Sequence, residues 1–299
     1  MNVFCPLCGN KKWKIFLKLD EFNILECKFC GIKRKEFEKD LNFNFEEWYN
    51  DDYFLFFKEK REEFKMKWHF PKIKIIKKLK KKGKFLDIGC GLGLGVELAL
   101  KEGFDVWATD ISSYAVEFIK QKFNIPCYKG EIENISLPEN FFDVIYIHHV
   151  LEHIIDPVKF LKKTKKFLKK DGIILIAVPN VKSIYFKIYK KNFPIFQKEH
   201  LWYFDIFSLR KMLNKVNLKL YYYTTVLALE TQGGWMSICA NNITSSKNIK
   251  SSTTNFLRKT WRLFPKSFRS KIFEILHKIF NFIFAKLRMG DDLVIIVKK

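Results

Sequence analysis

The sequence predicts an α/β protein with a mainly parallel sheet, a small metal-binding unit at its N-terminus and a basic helical insertion before its last strand. Three observations support this prediction. From Lys84 onward, short apolar runs alternate with amphipathic segments, as they do in βαβ units. Two C-x-x-C pairs precede this series. A segment rich in lysine, phenylalanine and polar residues, 241–289, separates the series from a final apolar run.

The composition is typical of a globular protein with a strongly basic surface. The chain has 299 residues, 48% of them hydrophobic, and a formal net charge of +23. This charge favours anionic partners, although a solvated lysine-rich surface explains it equally well. The start, MNVFCPLCGN, lacks the features of a signal peptide, and no apolar run reaches the length of a spanning helix. We therefore expect a cytoplasmic protein, with peripheral contact at the inner membrane face as an open alternative.

Four cysteines within residues 1–40 have the spacing of a zinc ribbon. Cys5 and Cys8 form one C-x-x-C pair, and Cys27 and Cys30 form the second. Two intervening residues allow one tight turn to present both sulfurs to a single ion. Because all four predicted ligands are thiolates and no position is left open, the Zn²⁺ would be structural. A redox dithiol is the alternative, but it usually needs only one pair, at the start of a helix.

Residues 41–83 are predicted to form a helical lead-in, and the α/β series is expected to occupy residues 84–240 and 290–299. Ser112 or Ser113 is expected to cap the second helix of the series. Continuous apolar runs indicate strands that are buried on both faces, as in parallel sheets. The predicted strands are KFLDIG, DVWATD, residues 126–128, FDVIYIHH, IILIAVP, LKLYYYTTV and DDLVIIVKK, and the predicted helices are VELALKEG, SSYAVEFIKQKF, DPVKFLKKTKKFLKKDG and SLRKMLNKVN.

A glycine-rich loop follows the first strand of the series. Gly89, Gly91 and Gly93 read G-x-G-x-G, which departs from the G-x-G-x-x-G pattern of dinucleotide sites. Asp87 precedes the loop, and its carboxylate would repel a pyrophosphate but favour an ammonium or a sulfonium. Asp110 ends the next strand, where a carboxylate can accept hydrogen bonds from both ribose hydroxyls. S-adenosylmethionine has a ribose, an ammonium and a sulfonium but no phosphate, so it is the predicted cofactor.

The loop and the segments after it resemble class I S-adenosylmethionine-dependent methyltransferases, specifically the ubiquinone-biosynthesis-like and glycan-cluster branch. Many members of that branch also carry an N-terminal zinc ribbon. The similar segments are GEIENISLPENFFDVI, IHHVLEHIIDP, AVPN, EHLWYFDIFSLRKML and GDDLVIIVKK. The resemblance implies a Rossmann-like fold with a mainly parallel seven-stranded sheet.

The resemblance also implies which residues contact the cofactor. In the family, the acid that follows the glycine of the first similar segment contacts the adenine amino group. The resemblance therefore implies this role for Glu131, at a position where the family more often has Asp. The N–H of Ile132 would then meet the adenine ring. The predicted cofactor-binding residues are Asp87, Gly89, Gly91, Gly93, Asp110, Ile111, Glu131, Ile132 and His148.

Histidines beyond the ends of the later strands are the candidate catalytic bases. Methyl transfer requires donor and acceptor in line, and a hydroxyl acceptor gains from a base within hydrogen-bond reach. His149 and His200 are predicted to be catalytic, and Glu152 and His153 are further candidates. The alternative for Glu152 and His153 is a structural role, in which they cap and brace the helix that follows. Strand alternation places His148 and His149 on opposite sides, so at least one of them is expected to be structural.

The acceptor is predicted partly from what the sequence lacks. No N/D-P-P-Y segment for methylating a base amino group is present, and no cysteine after the fourth or fifth strand could attack a pyrimidine. We therefore expect O-methylation of a small-molecule, glycan or lipid-linked acceptor. RNA is a less favoured acceptor, although the charge of +23 would suit it. A non-catalytic donor-binding module is a further alternative.

The basic segment 256–289 predicts amphipathic helices in which lysine and arginine alternate with large apolar residues. Such helices can lie on an anionic membrane, or they can pack on their own domain or on a second copy of the chain. Membrane proximity would suit a lipid-linked acceptor. The oligomeric state is left open by the sequence.

Overall fold

The computed structural model describes residues 4–36, 49, 54, 58, 61–193, 195–227 and 282–299. The strands in this part of the chain are β1 (Trp13–Lys18), β2 (Asn23–Cys27), β3 (Lys33–Lys35), β4 (Lys84–Ile88), β5 (Asp105–Asp110), β6 (Cys127–Lys129), β7 (Phe142–His148), β8 (Leu168–Pro179), β9 (Trp202–Tyr203), β10 (Lys219–Val226) and β11 (Asp292–Lys298). The helices are α1 (Arg61–Phe64), α2 (Phe70–Leu79), α3 (Leu94–Lys101), α4 (Ser113–Phe123), α5 (Pro157–Phe167), α6 (Ile184–Tyr189) and α7 (Ile206–Lys215).

The larger sheet has seven strands in the order β10-β11-β8-β7-β4-β5-β6. Strands β4 to β8 pair in parallel, whereas β11 runs antiparallel to both of its neighbours. The predicted fold class, a Rossmann-like mainly parallel seven-stranded sheet, is confirmed. The order reverses between β4 and β7, which is the position where ligands bind in open α/β sheets.

Both faces of the central strands are buried, as the unbroken apolar runs predicted. In β7, Ile145 and Ile147 face one apolar cluster, and Val144 and Tyr146 face another on the opposite side of the sheet. All four of these side chains are fully inaccessible to solvent. Burying one side chain of this size contributes about 1.5–3 kcal/mol, so the central sheet is a large part of the stability.

The helices begin at the polar residues expected of N-caps. Ser112 is the cap of α4, because its hydroxyl accepts a hydrogen bond from the Ala115 N–H; this decides between the two predicted serines. Asp156 caps α5 in the same way. Asp205 and Ser208 form a reciprocal capping box at the start of α7.

The predicted helix DPVKFLKKTKKFLKKDG is wrong at its C-terminal end. Helix α5 stops at Phe167, and the next residues form the first part of β8. Leu168 pairs with Phe142 in the sheet, and the Lys169 ammonium lies 2.8 Å from the Asp143 carboxylate. Pairing with β7 therefore outweighs the helical preference of the lysines.

The N-terminal strands form a second, antiparallel sheet that also includes a distant segment. Its order is β1-β2-β3-β9, and Arg34 of β3 pairs with Trp202 of β9. Lysines of α7 reach the same unit, because Lys211 donates to the Cys30 carbonyl and Lys215 to the Leu7 carbonyl. The cysteine-bearing unit is thus packed against the α/β body, although the predicted domain boundaries themselves remain a prediction.

Parts of two predicted segments lie outside the described residues. The lead-in 41–83 is helical where it is described continuously, from Arg61 to Leu79, and includes a π-helical stretch, Lys65–His69. The predicted insertion 241–289 falls mostly outside the described residues, which resume at 282. Among the described helices, none has both the length and the apolar character needed to cross a bilayer.

Candidate functional site

A cavity of about 610 Å³ opens beyond the carboxyl ends of β4, β5 and β7. Its walls include the residues at or just after those strand ends, namely Ile88, Asp110 and His148. The size is that of a small-molecule or cofactor site. The cavity therefore lies where the strand order predicts a ligand.

The glycine loop forms one wall of the cavity. Gly89 and Gly91 line it and have φ angles of 72° and 48°, which a side chain would disfavour. A Cβ at Gly89 would also lie 2.4 Å from the Val150 Cγ2 atom. Gly93, at φ 68°, starts α3 and packs against Ile119, outside the cavity wall. The loop thus brings bare backbone close to whatever occupies the cavity.

Two acids flank the loop, but only one of them reaches the cavity. The Asp110 carboxylate accepts hydrogen bonds from the Gly91 N–H at 2.8 Å and the Ser112 N–H at 2.9 Å, and it lines the cavity. Burial raises its pKa, an effect that these hydrogen bonds oppose. Asp87 is 2% exposed and lies beneath the loop, beside Gly95. Burial, reinforced by the Asp110 charge, raises the pKa of Asp87 to about 8.

The adenine-side residues predicted from the resemblance also line the cavity. Ile111 follows Asp110 directly, and Glu131 and Ile132 follow β6. The Glu131 side chain is exposed, and its carboxylate accepts a hydrogen bond from the Asn134 amide at 3.2 Å. Ile132 is buried. Of the nine predicted cofactor-binding residues, Asp87 and Gly93 are the two outside the cavity wall.

Histidine rings make up another part of the cavity wall. His148 and His149 both line the cavity, although strand alternation predicted opposite orientations for them. The reason is that His149 leaves the strand with φ 53°, a left-handed conformation that reverses its direction. The His148 ring lies against the His69 ring, with centroids 4.1 Å apart, and burial holds the pKa of His148 well below its usual range.

His149 lies between two carboxylates. Its Nδ1 is 3.1 Å from Glu152 Oε1, and its Nε2 is 3.5 Å from Asp292 Oδ1. Burial alone would lower its pKa, but the two carboxylates outweigh burial and raise the pKa to about 10. His149 is therefore protonated at neutral pH in the ligand-free protein, where it has no lone pair with which to accept a proton.

His200 differs from His149 in that its pKa is lowered instead of raised. Its Nδ1 lies 2.7 Å from the Ile195 carbonyl oxygen, so this nitrogen carries the hydrogen and Nε2 carries the lone pair. Burial, with the neighbouring His153, lowers the pKa of His200 to about 3. The two predicted bases thus share one cavity but differ in charge.

Comparison with known proteins identifies the family. The family model for the methyltransferase domain matches residues 58–223, more than half of the chain. The chain belongs to the S-adenosylmethionine-dependent methyltransferases. The methyl donor of this family is the cofactor that the glycine loop and its acids predicted.

Individual relatives are similar over part of their length. The ubiquinone biosynthesis O-methyltransferase of Pelagibacter ubique is 38% identical over 113 residues, which cover 35% of this chain and 46% of the relative. A protein of Mycobacterium tuberculosis named as an S-adenosylmethionine-dependent methyltransferase is 26% identical over 96 residues, 32% of this chain and 35% of the relative. The chain thus spans less than half the length of either relative.

A solved structure shows the same fold. The S-adenosylmethionine-dependent methyltransferase of Archaeoglobus fulgidus matches with a TM-score of 0.54 and 23% identity, covering 83% of this chain and 100% of its own. The α/β arrangement described above is therefore that of the methyltransferase family.

The sequence analysis did not identify the lead-in residues that line this cavity. Trp68 and His69 line it from the π-helical stretch, a feature that often marks functional sites. The Arg61 side chain holds the lead-in in place, because it donates to the Leu92 carbonyl and, at 2.6 Å, to the Glu97 carboxylate. The sequence signal was weak, since the lead-in reads as an ordinary amphipathic helix.

The cysteine cluster fits the geometry of a structural zinc site in this family member. The Sγ atoms of Cys5 and Cys30 are 3.3 Å apart and those of Cys8 and Cys27 are 3.6 Å apart. All four sulfurs lie within 4.8 Å of one another. A tetrahedral zinc with Zn–S bonds of about 2.3 Å places its sulfurs roughly 3.8 Å apart, so the cluster can accept Zn²⁺ with small adjustments.

The zinc assignment predicts a change in metal content. Cys8→Ser and Cys27→Ser should each lower the bound zinc from about one ion per chain to near zero, because three thiolates hold Zn²⁺ far less tightly than four. Atomic emission spectroscopy of the purified protein measures this content. Cys127→Ala, a buried cysteine outside the cluster, is the matched control. Unchanged zinc in Cys8→Ser and Cys27→Ser would contradict the assignment.

Proposed function

We propose that the chain transfers the methyl group of S-adenosylmethionine to a hydroxyl oxygen of a small-molecule, glycan or lipid-linked acceptor. The observation that carries this proposal is a single cavity with two different walls. One wall is the bare glycine loop with Asp110, and the other is lined by aromatic and histidine rings. A donor on the first wall and an acceptor on the second would meet inside the cavity, shielded from bulk water.

The donor is proposed to lie against the glycine loop. Asp110 would accept hydrogen bonds from the ribose hydroxyls through the lone pairs that its backbone partners leave available. Glu131 would accept a hydrogen bond from the adenine amino group. Asp87 would act through the field of its charge, since a cation nearby favours its ionised form. Gly89 and Gly91 would let the backbone approach the donor closely.

The acceptor is proposed to lie against the histidine wall. Its oxygen attacks the methyl carbon, the carbon–sulfur bond breaks towards sulfur, and S-adenosylhomocysteine leaves while the hydroxyl proton passes to solvent. The name of the Pelagibacter ubique relative, an O-methyltransferase, supports an oxygen acceptor. A base role for His149 would require it to lose its proton first, whereas His200 keeps an unprotonated Nε2 but is weakly basic.

The test uses methyl-labelled S-adenosylmethionine, the purified full-length protein and an extract of the source cells. We expect label in the small-molecule, polysaccharide or lipid fraction and none with Asp110→Ala. Donor binding is measured separately by calorimetry. Binding without label in any fraction would favour a non-catalytic donor-binding module.

RNA is a second candidate acceptor because the chain carries a net charge of +23. Label in the RNA fraction of the same experiment would favour it. An RNA complex held by lysines and arginines should also weaken steeply with salt, because each neutralised phosphate releases counterions. A labelled lipid fraction would instead support membrane contact through segment 256–289, which co-flotation with anionic liposomes would test.

A further inference from the structure

The exposed phenylalanines of the protein are concentrated in one region. Among the described residues four phenylalanines are exposed, although this side chain is usually buried. Three of them, Phe4, Phe29 and Phe207, are each 61% exposed and belong to the cysteine-bearing unit or to α7. The fourth, Phe282, lies outside both elements. Exposed apolar side chains gathered on one part of a surface indicate a contact with another molecule.

Helix α7 and the cysteine-bearing unit form one continuous surface. The Lys211 ammonium donates to the Cys30 carbonyl oxygen at 2.9 Å, and the Lys215 ammonium donates to the Leu7 carbonyl oxygen at 3.0 Å. Cys30 and Leu7 belong to different C-x-x-C turns, so both turns lie against the helix. The exposed side of α7 together with these two turns is called the basic face below.

Two of the three exposed rings lie on neighbouring turns. Phe4 directly precedes Cys5, and Phe29 directly precedes Cys30. The Sγ atoms of Cys5 and Cys30 are 3.3 Å apart, so the backbone segments that carry the two rings are close together. The Lys11 ammonium lies 4.4 Å from the centroid of the Phe4 ring, which places a positive charge beside an exposed aromatic surface.

The basic face and its flanks carry charge of one sign. They are formed by residues 4–19, 27–35 and 206–219. These three segments contain twelve lysines and arginines and no acidic residue, whereas the whole chain has 55 basic and 32 acidic residues. Lys12, Lys28 and Arg210 are exposed, and among the described residues they form no ion pair with a carboxylate. The face therefore attracts a polyanion more strongly than the average surface of this chain does.

Unpaired ammonium groups next to exposed aromatic rings are the combination that binds single-stranded nucleic acid. The cations neutralise phosphates, and the rings stack on the bases. We propose that the basic face binds single-stranded nucleic acid. A duplex fits this face less well, because its bases stack on one another and leave no base free for the phenylalanines. The inference concerns binding and does not depend on the proposed methyl transfer.

The spacing of the rings favours nucleic acid over an anionic membrane. Phe207 lies in the first turn of α7, and the turn that contains Leu7 contacts Lys215, eight residues and roughly 12 Å further along the helix. Arg210 and Lys211 are exposed between these two ends. Charges that alternate with rings match a strand in which phosphates alternate with bases, whereas a membrane-inserting surface gathers its apolar side chains on one side.

A further basic element connects the face to the cavity. The Lys165 ammonium of α5 donates to the carbonyl oxygens of Val216 and Asn217, which directly follow α7. Helix α5 contains five lysines and no acidic residue. Lys159, in its first turn, lines the cavity. A strand bound on the basic face can therefore extend along α5 to the cavity rim.

The test is fluorescence anisotropy of a fluorescein-labelled strand of about twelve uridines, titrated with the full-length, zinc-loaded protein. We expect saturable binding that weakens with salt, with a slope of about −0.7 for each phosphate neutralised. An RNA duplex of the same length should compete at least about tenfold less well. The titration is done without S-adenosylmethionine, so a failure of the proposed methyl transfer would not affect it. Absence of binding at moderate salt would overturn the proposal.

The contribution of the charges is measured with a pair of double variants. Lys28→Gln/Arg210→Gln should weaken binding and reduce the salt slope by about 1.4, because each change removes one phosphate contact. Lys120→Gln/Lys122→Gln is the matched control: it removes the same charge from α4, which packs on the opposite face of the large sheet from α7. The control should bind within about twofold of the parent. Equal losses in the two variants would overturn the proposal, because net charge alone would then explain the binding.

The contribution of the rings is measured in the same assay. Phe29→Ala and Phe207→Ala should each weaken binding by about fivefold or more, as expected when stacking on one base is lost. Phe282→Ala, which removes a ring that is 70% exposed outside the basic face, is the matched control and should bind normally. Unchanged affinity in both Phe29→Ala and Phe207→Ala would overturn the proposal. Co-sedimentation with phosphatidylglycerol vesicles by a protein that does not bind the uridine strand would overturn it in favour of a membrane-binding surface.

Discussion

Replacing Asp292 by asparagine is expected to lower the free energy of unfolding by about 3–5 kcal/mol, because it leaves a buried ammonium without its counter-charge. Lys72 is fully buried and Asp292 is 1% exposed. The two side chains form an ion pair, and the Lys72 ammonium also donates to the Trp68 carbonyl oxygen at 2.7 Å. Chemical denaturation followed by circular dichroism measures the loss.

The double variant Lys72→Met/Asp292→Leu tests whether the stability loss comes from the unpaired Lys72 charge or from any substitution at this position. Removing both charges should recover most of the stability, since buried ion pairs are often no more stabilising than apolar residues of similar volume. Lys74→Met is the surface control: Lys74 lies 3.0 Å from Glu102 but is about half exposed, so we expect a loss below about 1 kcal/mol. A double variant less stable than Asp292→Asn would contradict this account.

Replacing Asp110 by alanine is expected to weaken S-adenosylmethionine binding by about 100-fold or more. A carboxylate that receives two ribose hydroxyls contributes roughly 1.5–3 kcal/mol for each hydrogen bond to the charged group. The same change removes the acceptor of the Gly91 and Ser112 N–H groups, so the loop also loses its support. Isothermal titration calorimetry gives the affinity directly.

Asp105→Ala is the matched control, because Asp105 begins the strand that Asp110 ends and its side chain faces solvent beside Lys84. Its donor affinity should stay within about twofold of the parent, as expected for an exposed ion pair. Equal affinities of Asp110→Ala and the parent protein would place the donor elsewhere in the cavity. Asp110→Asn, which keeps the loop hydrogen bonds in part, separates loss of the ribose contact from collapse of the loop.

Most of the α/β body could be predicted from local sequence. The strand runs, the cap of α4 and the glycine loop were identified because apolar pattern, capping chemistry and glycine backbone freedom are properties of a few neighbouring residues. The end of α5 was misplaced because pairing of Leu168 with Phe142 is a contact between distant parts of the chain. The same limit applies to β9, whose two residues join a sheet that otherwise comes from the N-terminus.

The sequence by itself identified the glycine-loop side of the cavity, with the acid at the end of β5, and separately the four cysteines of the N-terminal unit. Each follows from residue type at fixed spacing within a short part of the chain, where neighbouring strands pair. Only the tertiary structure decided the histidine side of the cavity. The pKa of His149 depends on Glu152 one turn away and on Asp292 from the last strand, and His200 reaches the cavity from a segment that the Leu201 N–H joins to Glu152. The charge there depends on distances between residues far apart in sequence, which no spacing along the chain encodes.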